Sequence, residues 1–531
     1  MIFNIIITAV AAALLFANLV SELKRDLMMF QQNSYRAERY GRWLSTSGDS
    51  TSMWRLSALA ILFFTLSTFG RPWMSMALCC VFGIASFINL IGKKYKKPLV
   101  WTARALRIYS TSWLLCAIVI AVCEVCFLDG GFERGLYLAA LALLGCYCGS
   151  HVIILASNLC LKPVEGSITS YYINDARKKI SEMPDLKVIG ITGSYGKTST
   201  KHYLHHILSS KFETLMTPGS YNTTLGVVRT IRELLKPYTE IFIVEMGAKN
   251  IGDIKEICDI VHPSVGIITA VGPQHLESFK TIERVQAAKF ELVDALPSDG
   301  VAIVNDDFEY IANRDVATVT CMRYGVSRAD ATYKATDIVY SPSGMTFTVI
   351  GPDGYSLKLS TRLIGECNVS NLLAAVIAAK QLGVEDSKIS AAVSTIAPVE
   401  HRLSVKRIPG GITIIDDAFN SNPVGSKMAV EVLGTFTEGK RIIITPGMIE
   451  LGAEQHLQNY EFGRHIAQNV DVAIIVGHYN RDAILEGIQS VSSDVKIETV
   501  DTFNDAQRIL ATIAKPGDTV LYENDLPDTF K

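Results

Sequence analysis

The stretch Ile191–Lys201, ITGSYGKTSTK, decides how most of this 531-residue chain folds. It overlaps the end of an apolar run, LKVIGIT (186–192), that predicts a buried parallel strand. It leads into TSTKHYLHHILSSKF (198–212), which has helical spacing. A glycine-bracketed turn between a strand and a helix directs backbone N–H groups and the positive end of the helix dipole toward an anion. The stretch therefore predicts a phosphate-binding loop in an α/β domain.

The side chains of this loop suit a nucleotide. Lys197 can reach terminal phosphates, and the Thr198 hydroxyl suits Mg²⁺. The spacing departs from the standard phosphate-loop motif, because Ile191 stands five positions before Gly196 where that motif has glycine. The predicted nucleotide-binding residues of the loop are Gly193, Ser194, Tyr195, Gly196, Lys197, Thr198 and Ser199.

Two further polar residues follow predicted strands. Glu245 ends EIFIVE, and His275 follows VGIITAVGPQ. Open α/β sheets bind ligands at the carboxyl ends of their strands, so these side chains are predicted to join Thr198 as ligands of Mg²⁺. For His275 a purely structural role stays equally open, since a lone histidine is more often structural.

The first 160 residues hold long apolar runs. Five segments, near 2–21, 54–70, 73–92, 108–128 and 135–159, are long enough to span roughly 30 Å of hydrocarbon. Lysine and arginine concentrate between these segments at 21–53 and 93–107, while the two intervening turns carry only Arg71 and Arg134. This asymmetry predicts a multi-pass protein of the inner (plasma) membrane, in contact with lipid, with everything after Lys162 in the cytoplasm.

Two ionisable residues lie within the apolar segments. Glu124 and His151 are candidates for a transport or lipid-headgroup role, because charge inside a membrane is costly. The alternative for Glu124 is that it lies near the end of its helix and reaches the interface. The formal net charge of −2 and pI of about 6.6 do not favour a nucleic-acid partner.

A set of motifs occurs in one order along the remaining chain. They are TGSYGKTSTK, VEMGAKNIGDI, HLESF, AAKFEL, GECNVSNLLAA, EHRLS, IDDAFNSNP and GMIELG. Together they resemble the Mur ligase family over about residues 185–531. The resemblance implies a multi-domain protein: a transmembrane helical region (1–160), a connecting segment (161–185), a central α/β ATP-binding domain (186–397) and a Rossmann-like α/β domain (398–531). The helices stand where the family usually has a UDP-binding domain.

The resemblance implies an ATP-dependent ligase that forms an amide bond in cell-wall (peptidoglycan) precursor synthesis. A precursor carboxylate becomes an acyl phosphate, an amine such as D-alanyl-D-alanine attacks it, and ADP and phosphate leave. The implied cofactors are ATP and Mg²⁺. The implied partners are a UDP- or lipid-linked precursor and an amino acid or dipeptide.

Matching the family motifs residue by residue assigns the expected roles. Lys289 matches a lysine that family members carry as a carbamate, Asn368 and Asn371 match nucleotide-contacting asparagines, and Arg402 matches an arginine that reaches ATP. The implied catalytic residues are Lys197, His275, Lys289, Arg402 and Asp417; the implied substrate contacts are Asn222, Asn420 and Asn422. The chain departs from the family pattern at Cys367, His401 and YENDLPD (522–528).

Two other functions stay open at this point. One is a related amide ligase that acts on a lipid-linked or polyglutamate-type substrate. The other is a membrane ATPase or transporter, which the small number of apolar segments disfavours. Release of ADP and phosphate that depends on an amine acceptor separates ligation from transport.

Overall fold

The computed structural model describes residues 2–67, 72–92, 95, 97–125, 131–341, 344–419, 421–491 and 494–525. Over these residues the chain divides into two compact units, the first ending at Ser170 and the second spanning Tyr171–Asp525. The predicted order of a helical region followed by two α/β domains is confirmed.

The N-terminal unit is helical. Its helices are α1 (Ile2–Gln32), α2 (Ala37–Thr46), α3 (Met53–Ser67), α4 (Pro72–Gly92), α5 (Ala103–Val125), α6 (Gly131–Cys148) and the first part of α7 (Ser150–Ser181). Four of the described helices are long and apolar enough to cross a membrane: Ile2–Gln32, Trp73–Ile91, Ala103–Val125 and Ser150–Ser181. Met53–Ser67 is apolar but shorter.

Two of the predicted apolar segments have different boundaries in the structure. The segment predicted at 2–21 continues as α1 to Gln32, although it carries charged residues after Val20. The segment predicted at 135–159 is covered by two helices, α6 and α7, which are separated by the single residue Gly149. Much of the segment predicted as a connection, 161–185, is helical and belongs to α7.

A buried network of charges explains why α1 continues past its apolar part. The Arg55 side chain is 4% exposed, and its Nη2 donates to Glu22 Oε1 at 2.8 Å and to Asp26 Oδ1 at 3.0 Å. Its Nη1 lies 3.0 Å from Ser150 Oγ and 3.0 Å from His151 Nδ1. Charge in an apolar interior is tolerated when it is paired. His151, a predicted functional candidate, is therefore a member of an ion network that joins α1, α3 and α7.

We expect Arg55→Ala to destabilise the helical unit by about 3–5 kcal/mol, because the change leaves Glu22 and Asp26 buried without their shared cation. Thermal unfolding of the detergent-solubilised protein measures this. Arg36→Ala, at an exposed position, is the matched control and should leave unfolding unchanged. Equal stability of the two variants would contradict a structural role for the network.

The central domain is built around one sheet. Its elements are β1 (Lys187–Thr192), α8 (Lys197–Leu208), β2 (Thr214–Met216), α9 (Thr224–Leu234), β3 (Ile241–Glu245), α10 (Asp253–Val261), β4 (Val265–Ile268), α11 (Leu276–Phe279), α12 (Ile282–Asp294), β5 (Val301–Asn305), α13 (Glu309–Ala312), β6 (Thr320–Gly325), β7 (Tyr333–Ser341), β8 (Gly344–Ile350), β9 (Ser356–Thr361), α14 (Glu366–Gln381) and α15 (Asp386–Thr395). The strand order is β2-β3-β1-β4-β5-β6-β7-β8-β9, parallel up to β7 and antiparallel from there to β9.

The register of this sheet positions the site. Strands β1, β3 and β4 are apolar and buried on both faces, as expected for parallel strands covered by helices. Because β1 lies between β3 and β4, the loop that follows β1 is flanked by the ends of both neighbours. Ile191 pairs with Glu245, which places that carboxylate beside the start of the phosphate loop.

The C-terminal domain has a second sheet. Its elements are β10 (Ser404–Ile408), β11 (Ile412–Asp417), α16 (Pro423–Gly434), β12 (Arg441–Thr445), α17 (Gln455–Asn469), β13 (Val472–Val476), α18 (Arg481–Ser490), β14 (Lys496–Val500), α19 (Phe503–Ile513) and β15 (Thr519–Glu523). The strand order is β10-β11-β15-β12-β13-β14, parallel except for the edge strand β10. Asp417 and Glu523 end adjacent strands at the same edge.

Candidate active site

A cavity of about 290 Å³ lies between the central and C-terminal domains of the second unit. The central domain contributes the phosphate loop and residues at the ends of β3, β4 and β5. The C-terminal domain contributes Arg402, Asp417, Phe419 and Asn422. Residues that the sequence places more than 200 positions apart therefore line one cleft.

The phosphate loop has a conformation that requires two of its glycines. Gly193 has φ of +152°, and a Cβ there would lie 2.2 Å from Thr269 Oγ1. Gly196 has φ of +78°, and a Cβ there would lie 2.3 Å from Asn371 Oδ1. A side chain at either position would collide with its neighbours, so the loop depends on glycine for close packing as well as for backbone freedom.

The loop's own side chains fix its shape and its charge. Ser194 Oγ donates to Gly272 O at 3.1 Å, and Tyr195 OH donates to Pro273 O at 3.2 Å. Lys197 begins α8 and its Nζ donates to Gly193 O at 2.6 Å. Burial lowers the pKa of Lys197 to about 8, with Glu245 opposing the shift and Arg402 adding to it. Ser199 is buried in the first turn of α8.

Glu245 is a buried carboxylate that accepts three side-chain hydrogen bonds. It is 1% exposed at the end of β3. Its Oε1 accepts from Thr198 Oγ1 at 3.2 Å and from Asn222 Nδ2 at 3.1 Å, and its Oε2 accepts from Lys201 Nζ at 3.0 Å. Burial opposes ionisation, but the charges of Lys201 and Lys197 hold the pKa of Glu245 below its usual range.

Lys201 is a site residue that the sequence reasoning missed. It stands four positions after Lys197 on α8, a spacing that puts both lysines on one helix face. The four-residue spacing from Lys197 is the sequence feature that could have identified Lys201. Its side chain is fully buried against Glu245, so it orients the carboxylate that faces the loop.

The predicted magnesium ligands are only partly brought together. Thr198 and Glu245 are in contact and offer hydroxyl and carboxylate oxygens, the donor types that Mg²⁺ prefers, so the donor set fits the ion. His275 does not appear among the described residues that line the cavity, although its neighbour Gln274 does. The His275 Nδ1 lies 2.5 Å from Glu450 Oε2 of the C-terminal domain. Burial lowers the pKa of His275, and Glu450 opposes that shift.

Lys289 lies on α12 and is 1% exposed. Burial lowers the pKa of its amine well below the usual value, and the charge of Lys197 acts in the same direction. A neutral amine is the form that reacts with carbon dioxide, so the environment suits the carbamate that the family resemblance implies. Among the described residues, Lys289 is not part of the cavity lining.

The predicted asparagines have varied surroundings. Asn368 Oδ1 accepts from Tyr203 OH at 2.7 Å, and Asn371 Oδ1 accepts from Thr200 Oγ1 at 3.2 Å, so both join α14 to α8 while lining the cavity. Asn222 bonds to Glu245, as described above. Asn422 caps α16, with its Oδ1 accepting from Gly425 N at 2.9 Å. Asn420 lies outside the described residues.

Arg402 reaches the cavity from a strained segment. Its neighbours His401 and Leu403 have φ of +57° and +49°, a backbone region that non-glycine residues seldom adopt. Its Nη1 donates to Phe419 O at 2.9 Å, and its guanidinium lies 4.6 Å from the centre of the Phe419 ring. Such strain persists where surrounding structure enforces it, which is common at functional sites.

Asp417 lines the cavity on its C-terminal side, and Glu523 lies beside it at the end of the neighbouring strand. Asp417 Oδ1 accepts from Leu403 N at 3.0 Å, and Glu523 Oε1 accepts from Ser421 Oγ at 2.6 Å. Burial raises the pKa of Asp417 to about 6 against the opposing charge of Arg402. Burial, and next the nearby Asp417, raise the pKa of Glu523 well above its usual range. Sequence reasoning missed Glu523, because only the β11–β15 register places the two acids together.

We expect Glu523→Gln to stabilise the protein at pH 8 and to have little effect at pH 4. Both folded-state pKa values are raised, so the pair contributes stability at low pH that is lost as the pH rises through the raised pKa of Asp417, about 6, and through that of Glu523. Glutamine keeps an acceptor for Ser421 and Ser426 and removes a buried acid. The expected increase in Tm at pH 8 is about 2–4 °C.

Thermal unfolding at both pH values checks this expectation. Glu438→Gln is the matched control, because Glu438 is an exposed acid of the same domain. A gain in Tm that is equal at pH 4 and pH 8 would show that the pKa of the Glu523 carboxyl group is not raised in the folded protein.

Comparison with known proteins places this site in a family. The Mur ligase middle domain model matches residues 191–379, and the Mur ligase glutamate ligase domain model matches residues 401–522. Together these spans contain both halves of the cavity. The chain belongs to the Mur ligase family, whose members are ATP-dependent ligases.

Three similar proteins illustrate the relationship. A UDP-N-acetylmuramoyl-tripeptide–D-alanyl-D-alanine ligase of Mycobacterium tuberculosis is 30% identical over 363 residues, covering 63% of this chain and 70% of that one. MurF from Acinetobacter baumannii has a TM-score of 0.61 and 28% identity, covering 67% and 77% of the two chains. MurF from Thermotoga maritima, solved with ADP, has a TM-score of 0.59 and 26% identity, covering 67% and 80%.

Proposed function

We propose that this protein is a membrane-held ligase that joins the amine of a dipeptide such as D-alanyl-D-alanine to the carboxylate of a peptidoglycan precursor, at the expense of ATP. The observation that carries the proposal is the single cavity shared by the phosphate loop, Glu245 and the C-terminal Arg402 and Asp417. The activity for which the similar ligases are named supports the choice of substrates.

The first step activates the carboxylate. A carboxylate oxygen of the precursor attacks the γ-phosphorus of ATP, the bond to the β-phosphate oxygen breaks, and ADP leaves. Lys197 and the N–H groups at the start of α8 stabilise the charge on the phosphates. Arg402 approaches the same space from the other domain and adds a second cation.

Magnesium would be held by Thr198 and Glu245, and we assign His275 as a further ligand although its side chain lies outside the described cavity lining. Bound there, the ion would offset the negative charge of the β- and γ-phosphates. Asn222 and Lys201 orient the Glu245 carboxylate toward that position through their hydrogen bonds. We assign nucleotide contacts to Asn368 and Asn371 and substrate contacts to Asn222, Asn420 and Asn422.

The second step forms the amide. The amine nitrogen attacks the acyl carbon, the carbon–oxygen bond to phosphate breaks, and inorganic phosphate leaves together with a proton from nitrogen. Water must be excluded, since it would hydrolyse the acyl phosphate. The position of the cavity between two domains supplies that exclusion when the domains are together.

We further propose that the helices hold the catalytic domains at the cytoplasmic face of the inner membrane. Four described helices are long and apolar enough, and their surfaces carry exposed apolar side chains such as Val81, Ile88 and Ile91, each 66–68% exposed. Such surfaces suit lipid rather than water. This observation favours a lipid-linked precursor over a UDP-linked one as the carboxylate substrate.

Ligation is tested with the full-length protein in detergent. It is incubated with ATP, Mg²⁺, D-alanyl-D-alanine and either a UDP-linked or a lipid-linked precursor, and the products are analysed by mass spectrometry. We expect an amide product with release of ADP, and more product from the lipid-linked precursor. ATP hydrolysis that is independent of any amine would contradict ligation.

We expect Lys197→Ala to reduce amine-dependent ADP release by about 100-fold or more, because the terminal phosphates lose their buried cation. Lys187→Ala is the matched control, since Lys187 is an exposed lysine at the start of β1. Full activity of the Lys197 variant would exclude the assigned phosphate role.

We expect Lys289→Ala to lose activity and to regain part of it when acetate or formate is added, because a small carboxylate can enter the space left by a carbamate. Amine-dependent ADP release measures the recovery. The same acids should not rescue Lys197→Ala. A Lys289 variant that no added acid restores would weigh against the carbamate.

A further inference from the structure

Glu450 belongs to GMIELG (Gly447–Gly452), a motif to which the mechanism above assigns no task. Its carboxylate belongs to the C-terminal domain and contacts two residues of the central domain. Oε2 lies 2.5 Å from His275 Nδ1, and Oε1 lies 3.4 Å from Lys249 Nζ. Lys249 follows β3 and His275 follows β4, so one side chain contacts the loops after two strands, of which β3 ends in the proposed metal ligand Glu245 and β4 precedes His275.

The loop that presents Glu450 is firmly held. Met448 and Leu451, on either side of it, are 1% and 2% exposed and belong to the core of the C-terminal domain. Met448 N donates to Asn459 Oδ1 at 2.8 Å, and Asn524 Nδ2 donates to Gly447 O at 2.5 Å. Packing and hydrogen bonds of its neighbours therefore fix the position of the Glu450 backbone.

Backbone strain is present on both sides of the contact. Glu450 has φ of +64° and His275 has φ of +53°, and each is a non-glycine residue in the left-handed region. The backbone pairs as well, because Glu277 N donates to Glu450 O at 3.4 Å. Strain of this kind persists only where the surrounding structure enforces it.

We propose that Glu450 is a positioning residue for His275: it accepts the Nδ1–H, which fixes the ring and leaves Nε2 as the nitrogen available to a divalent cation at the nucleotide site. Carboxylates commonly act in this way on metal-binding histidines. The inference rests on the proposed function, since it takes His275 as a magnesium ligand. Because Glu450 comes from the other domain, His275 is oriented only while the two domains are together.

Two variants of nearly equal size test the role. Glu450→Gln keeps an oxygen that accepts from Nδ1–H, whereas Glu450→Met has none, and both keep the backbone strain unchanged. Binding of Mn²⁺ to the full-length protein with a non-hydrolysable ATP analogue is measured by electron paramagnetic resonance. We expect the methionine variant to bind Mn²⁺ about 10- to 100-fold more weakly and the glutamine variant to stay within about 3-fold of the wild type.

The control is Glu454→Met, because Glu454 is exposed just beyond the same loop and its carboxylate accepts from Gln458 on the same helical segment. Mn²⁺ binding by this variant should equal that of the wild type. Equal Mn²⁺ affinity for the methionine and glutamine variants at position 450 would overturn the positioning role. A wild-type protein that neither binds the Mn²⁺–nucleotide nor releases ADP on adding amine would instead overturn the proposed function itself.

Discussion

The buried carboxylate of Glu245 is the interaction on which the catalytic half of the molecule depends. It ends β3, receives Lys201 and Thr198 from α8, and receives Asn222 from the segment before α9. A carboxylate that is 1% exposed is stable only when its charge is matched, and the two lysines of α8 supply that match. The same contacts fix α8 at the end of the sheet, so the phosphate loop and its carboxylate are positioned together.

The sequence was informative where chemistry follows local pattern. A buried strand, two glycines and a lysine before a helix specify the phosphate loop, and the strand ending in Glu245 specifies the carboxylate beside it. These contacts follow from sheet geometry, because strands β1 and β3 are parallel neighbours. The family resemblance then supplied the order of the domains.

The contacts that could not be predicted from the sequence join side chains on elements that are far apart along the chain. Glu450 meets His275 across 175 residues, and Glu523 meets Asp417 only through the β11–β15 register. The apolar pattern also predicts a first helix that is too short. Glu22 and Asp26 are typical of a water-exposed segment, and only the folded structure shows that Arg55 pairs with both of them in the interior. In each case the partner, rather than the residue itself, determines the environment.

The Arg55 network also constrains how this unit can diverge. One guanidinium binds carboxylates on α1 and groups at the start of α7, so the loss of its charge leaves Asp26 without this cation and Glu22 with Arg25 alone. Glu22, Asp26 and Arg55 are therefore expected to be inherited as a set. The effect of a substitution at one of these three positions therefore depends on the residues at the other two.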